Sequence, residues 1–171
     1  ALADLHIVPV SVSYETESCD ILKAIEMYES RCCKYIKKPG EDLNSILTGL
    51  VQQKGHVDIT LCEELTREEL MQFDNCTNNE YHRRVAELLD RRINAAYQLS
   101  PFNYVAHDLR YGQHVMRSHY TEQQRQAFLQ RMECLDEYDV SEPDALYDCF
   151  LAIYANPVVA KATRNRGMPI G

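Results

Sequence analysis

Residues 5–15 read LHIVPVSVSYE, and this stretch decides how the rest of the chain is read. Ile7, Val8, Val10, Val12 and Tyr14 form a β-branched and aromatic run that alternates in part with a period of two. That is the pattern of a buried strand. Pro9 has no amide donor, so it is expected at a bulge, at a strand end or beside an unpaired edge. A core strand this close to the first residue points to a sheet, and a protein, that continue upstream.

Working outward, residues 19–37 carry Ile21, Leu22, Ile25, Met27 and Tyr28 at helical spacing, and Lys37-Lys38-Pro39-Gly40 ends that helix. A second helix is expected over residues 41–53, with Leu43, Ile46, Leu47, Leu50 and Val51 as its apolar side. Gly55 then releases a strand over residues 56–61. There Val57, Ile59 and Leu61 alternate with His56, Asp58 and Thr60, so the apolar trio is expected to be buried.

The remainder reads as helical. Thr66 to Glu69 and Thr77 to Glu80 match a capping box, in which a hydroxyl and a carboxylate satisfy the free amides of a helix start. Behind Thr77, Tyr81, Val85, Leu88, Leu89, Ile93 and Ala96 make one stripe. Ser100-Pro101 opens a further helix, Thr121 another over residues 121–138, and residues 141–154 a last one. Residues 161–171 carry three basic residues and no acid and are expected to fray. The fold class is therefore an α/β start of two or so strands, the remnant of a larger sheet, followed by a mainly helical region. The expected division is residues 1–65 and residues 66–171.

The composition narrows function without naming it. The 171 residues hold 18 basic and 26 acidic side chains, a net charge of −8. An acidic balance argues against bulk binding to nucleic acid or to anionic lipid. No run reaches the roughly 18 apolar residues of a membrane span, and the first ten residues show no basic region of a signal peptide. Seven cysteines, with Cys32 and Cys33 adjacent and no CxxC pair, are expected as free thiols of a reducing cytoplasm.

No constellation of residues assembles a catalytic site by spacing alone. His114 and His119 are five apart, with His107 nearby, whereas two helical metal ligands need a spacing of four. His82 stands among Arg83, Arg84, Glu87 and Asp90, the composition of a solvated face laced with ion pairs. Arg91-Arg92 fits the same face better than a phosphate site. The eleven tyrosines are not interleaved with a basic stripe, and neither a Gly-rich phosphate loop nor a G-x-S-x-G elbow is present.

The order of the segments nevertheless resembles one family. Val8-Pro9-Val10-Ser11-Val12-Ser13-Tyr14-Glu15 is similar to the fourth conserved block of the glycerolipid acyltransferases, an apolar strand centred on a proline. A Tyr-Glu pair closes the same strand in the bacterial membrane-associated glycerol-3-phosphate acyltransferases. Gly40-Glu-Asp-Leu43, Ile46-Leu47-Thr48-Gly49-Leu50 and Gly55-His-Val57-Asp-Ile59 follow in that family's order, as do Arg92-Ile93-Asn94-Ala95-Ala96 and Ser100-Pro101-Phe102-Asn103. Cys62-Glu63-Glu64 departs from the family's Gly-Glu-Pro-like corner, and residues 111–171 match nothing in it.

The resemblance implies transfer of an acyl group from acyl-CoA or acyl-carrier protein to glycerol 3-phosphate or a lysophospholipid, with no further cofactor and no metal. In the family a His-x4-Asp pair deprotonates the acceptor hydroxyl. No histidine here has Asp at that offset; His82 has Glu87. The chain is thus expected to be an inactive C-terminal part of a cytoplasmic enzyme working at the inner membrane. Val8, Pro9, Val10 and Ser11 would border its substrate site. A homodimer through the N-terminal strand is a further expectation. The competing reading is a non-catalytic helical interaction module.

Overall fold

A computed structural model describes residues 4–165. It is helix-dominated with a short α/β start: seven α-helices and one two-stranded antiparallel sheet among the described residues. The residues gather into two compact units, each built from two separate stretches. The first comprises 1–13 and 58–98, the second 14–57 and 99–171. The units interleave along the chain.

The ribbon pairs β1 (Val10–Tyr14) with β2 (Val57–Leu61). Cys62 N–H donates to Pro9 C=O at one end and Glu15 N–H to His56 C=O at the other, both at 2.9 Å. These two bonds fix the register: Val10 lies opposite Leu61, Val12 opposite Ile59 and Tyr14 opposite Val57. In the first unit, α3 (Arg67–Met71) and α4 (Asn78–Ala96) supply the core. Leu65, Leu70, Val85 and Leu88 are buried together, with Ile7, Phe73, Tyr81 and Leu89 packed against them.

Sequence chemistry starts these helices where expected. Thr66 and Glu69 form a complete capping box, and the Thr77 hydroxyl accepts from the Glu80 amide. The solvated face of α4 is as composition indicated: Arg83 and Arg84 both bridge Glu80 and Glu87.

The second unit holds α1 (Asp20–Glu29), α2 (Glu41–Val51), α5 (Pro101–Tyr111), α6 (Glu122–Glu133) and α7 (Pro143–Asn165). Phe102, Phe128, Phe150 and Tyr154 meet edge-to-face or tilted, with ring centroids 5.2–6.3 Å apart. Ile21, Ala24, Val105, Ala106 and Leu146 complete that core. α1 ends at Glu29, eight residues short of Lys37, because residues 31–38 offer no apolar stripe to bury; Ile36 is exposed. α7 runs past Tyr154 and through Pro157 to Asn165. Burial of Ala155 and Val158 outweighs the one hydrogen bond that the proline removes. Of the fraying end expected from residue 161, residues 161–165 continue α7 and residues 166–171 lie outside the described residues.

Two elements face the opposite way from their hydropathy pattern. On β2, Ile59 is 68% and Leu61 73% exposed, while Asp58 and Thr60 are half-buried. On β1, Ser11 and Ser13 are buried and Val10 and Val12 are exposed. The expectation that Val57, Ile59 and Leu61 form a buried face is therefore overturned within this chain. The polar side of the ribbon is the packed one: the Gln98 amide donates to Ser13 Oγ at 2.9 Å, and Cys62 Sγ approaches the Arg92 carbonyl at 3.8 Å.

Candidate functional site

The four residues singled out by sequence lie at the end of the ribbon where regular pairing stops. Pro9 is buried, and its carbonyl accepts the Cys62 amide. Lacking an N–H, it cannot return the second bond of an antiparallel pair. The next bond, Leu65 N–H to Ile7 C=O, joins residues two back on one side and three on along the other. The register thus slips by one beyond Pro9, with the extra residue on the 62–65 side. Pro9 stands just before the start of β1, a strand end being one of the places open to a residue without an N–H. Val8 and Val10, either side of it, are 47% and 44% exposed. Ser11 is buried and its hydroxyl has no hydrogen-bond partner.

Together with Val12, Ile59 and Leu61, Val8 and Val10 make an apolar surface on the first unit. It carries no charge, so it can hold an apolar group or another chain, but it supplies no acid, base or nucleophile. The corner beyond it is closed by Arg92. Its guanidinium donates to the Glu63 and Glu64 carbonyls and, at 2.7 Å, to both carboxylate oxygens of Glu69. The Thr66 amide and Arg92 hold the Glu69 carboxyl below its ordinary range. Arg92 is thereby fully engaged with protein and not open to a phosphate.

The second unit contains a buried charge cluster that no sequence motif announces. Asp20 is fully buried at the start of α1. Its Oδ1 accepts from Arg131 Nη2 at 2.5 Å and its Oδ2 from Arg131 Nε at 3.1 Å and Tyr154 Oη at 2.7 Å. The Tyr154 hydroxyl in turn accepts the Glu17 amide at 3.0 Å. Burial and the adjacent Asp20 carboxylate push the Tyr154 hydroxyl far above its usual range, so it stays protonated and donates. With every oxygen of Asp20 occupied, the cluster acts as an internal tie with no open position for substrate.

The histidines remain scattered. His82 stacks edge-on against Tyr81, and His119 stacks face-on with Tyr104 at 4.3 Å. His107 Nδ1 is buried without a hydrogen bond, 3.7 Å from Asp108 Oδ1. That carboxylate is held by the Tyr120 hydroxyl and the Met116 amide. Among the described residues no cluster of three His, Cys, Asp or Glu side chains is placed to hold a metal. The seven cysteines are free thiols. A cavity of about 130 Å³ beside Tyr138, Val140 and Tyr147 is smaller than a small-molecule site needs. Among the described residues no helix is long and apolar enough to cross a membrane.

Nothing matches this chain among protein-family models, curated proteins or solved structures.

Proposed function

We propose that this chain is the C-terminal part of an acyltransferase that moves a fatty acyl group from acyl-CoA or acyl-carrier protein to glycerol 3-phosphate or a lysophospholipid. The observation that carries the reading is the inverted ribbon. Its serine side is packed and its valine, isoleucine and leucine side is open. Leaving five such side chains in water forgoes on the order of 5 kcal/mol of burial. A face of this kind fits strands that border further strands and an acyl chain in a larger enzyme.

On this reading Val8, Pro9, Val10 and Ser11 border the acyl or phosphate site, and the slip beyond Pro9 aims Val8 and Val10 at it. The chemistry comes from elsewhere in the parent protein. Its His-x4-Asp pair takes the hydroxyl proton while the acceptor oxygen attacks the thioester carbonyl and the thiol leaves. His82 and Glu87 do not substitute for it, because Glu87 is bound to Arg83 at 2.7 Å in a surface network. The parent works at the cytoplasmic face of the inner membrane, where its lipid product is delivered.

The test is the reading frame that encodes residue 1, followed by assay of its full product. A frame that runs upstream through a His-x4-Asp pair and a Glu-Gly block within about 200 residues, and a product that releases CoA with glycerol 3-phosphate, are expected. A frame without that pair overturns the proposal and leaves a non-catalytic interaction module as the reading.

A further inference from the structure

α2 is attached to its unit by its polar side. The Cys19 amide donates to Gln52 Oε1 at 3.0 Å, Gln52 Nε2 to the Glu17 carbonyl at 3.1 Å, and Cys19 Sγ to the Ser45 carbonyl at 3.2 Å. Gly49 lies against that same sulfur, and a Cβ there would sit 3.4 Å from it. Cys19 itself holds a left-handed backbone, φ 58°, unusual outside glycine. These contacts fix the rotation of α2 about its axis. Leu43, Ile46, Leu47, Leu50 and Val51 consequently point away, 52–79% exposed, and the helix cannot turn them inward without breaking every bond that seats it.

From this geometry we infer that α2 is a self-association surface, occupied by α2 of a second copy of this chain in an antiparallel, two-fold pair. Three features select a second copy. Leu43, Ile46, Leu47 and Leu50 fall at i, i+3, i+4 and i+7, a spacing that is identical when read backwards. An antiparallel partner therefore sets Leu43 against Leu50 and Ile46 against Leu47, with no charge buried.

The helix ends suit the same arrangement. Glu41 and Asp42 occupy the first turn, and Lys54 caps the other end through the Gly49 and Gln52 carbonyls. Asp42 is already paired with Lys37 at 2.6 Å and Glu41 accepts from the Tyr35 hydroxyl and the Lys38 amide, so what the antiparallel pair adds at the ends is opposition of the two helix dipoles. Finally, the five side chains offer on the order of 500 Å² per copy, about 1,000 Å² for the pair, where a specific interface begins. The inference is independent of the acyltransferase reading.

The experiment is light scattering on the full chain at about 100 µM, a concentration that populates a contact of micromolar affinity. A dimer is expected. Ile46→Glu and Leu47→Lys should each weaken it at least about 30-fold, the effect of a central contact, with unchanged circular dichroism. Mixing the two variants should restore a dimer, because position 46 faces position 47 of the partner. Leu43→Ser, a milder change on the same stripe, guards against a folding defect and should weaken the dimer in part. A wild-type monomer, an open-ended aggregate, a dimer indifferent to Ile46→Glu, or failure of the mixture to re-pair overturns the inference. All readouts are masses, so loss of the acyltransferase reading would leave them unchanged.

Discussion

Asp20 and Arg131 stand 111 residues apart in the chain and meet through two hydrogen bonds, one of 2.5 Å, with the carboxylate fully buried. The pair joins the first turn of α1 to the last turn of α6, and Tyr154 of α7 closes it. A buried carboxylate is tolerated only while it is paired and hydrogen-bonded. Arg131→Ala leaves that charge with the Ile21 amide, the Tyr154 hydroxyl and a long 3.5 Å contact from Gln52 Nε2.

The expected cost of Arg131→Ala is about 3–5 kcal/mol. Tyr154→Phe removes one donor to Asp20 and the acceptor for the Glu17 amide, and should cost about 1–3 kcal/mol. Urea denaturation of the two variants checks the order. A neutral Arg131→Ala would show that the tie is dispensable.

Glu69 predicts a pH dependence. Its carboxyl titrates below its ordinary value near 4.5, held down first by the Thr66 amide and then by Arg92. A depressed folded value means that the ionised carboxylate stabilises the fold. That stability is present above the unfolded value and disappears as pH falls through the folded one. Glu69→Gln should therefore lower the melting temperature at pH 7 and leave a shallower decline below pH about 4.5. Wild type and variant should converge once the folded-state carboxyl is fully protonated. Parallel curves over the whole range would contradict the assignment.

The parts of the fold that were legible in the sequence are those written in local chemistry. Thr66, Thr77 and Thr121 each accept the amide three residues on, as their spacing indicated. Pro9 stands at the end of the ladder, one of the places open to a residue without an N–H. What failed was the inference from periodicity to direction. Alternation in β2 shows that its two faces differ, and nothing in it says which is covered; burial of Ser13 against Gln98 decided the matter. The same holds for α2, whose seat on Cys19 and Gln52 depends on a left-handed residue that no pattern reveals. Asp20, Arg131 and Tyr154 were invisible for a further reason: each sits in an ordinary helical stretch, and only the tertiary fold joins them.

The inverted ribbon has its own consequence for stability. Ile59→Ser should change the stability of this chain by no more than about 0.5 kcal/mol, as at other surface positions. Ser13→Val, conservative for a strand by propensity, should cost about 0.5–1.5 kcal/mol because it removes the buried hydroxyl that accepts the Gln98 amide. Chemical denaturation of both variants decides between the observed orientation and its opposite, which requires the reverse ranking.

Acyl transfer by this chain alone should be undetectable. The His-x4-Asp pair that the proposed acyltransferase would need has no counterpart among this chain's histidines, a deficit on the order of 10²–10⁴ in rate before any loss of substrate binding. Thiol release from acyl-CoA in the presence of glycerol 3-phosphate measures it. Turnover that disappears on His82→Ala or Glu87→Gln would reassign the chemistry to α4.

Pro9 separates a functional role from a purely structural one. Its carbonyl accepts the Cys62 amide, and one step further the register has slipped, with Leu65 bonding to Ile7. Alanine at position 9 restores an N–H opposite the Cys62 carbonyl, so the pair can close with both bonds and the slip can relax along the strand. Such a change would gain a hydrogen bond while re-aiming Val8 and Val10. In the intact acyltransferase proposed above, Pro9→Ala should therefore lower kcat/KM about 10-fold, or about 1.4 kcal/mol, with the melting temperature unchanged or slightly raised. If Pro9 serves only to blunt an open strand edge, activity and melting temperature should fall together, and Val8, Pro9, Val10 and Ser11 would lose their place at the substrate site.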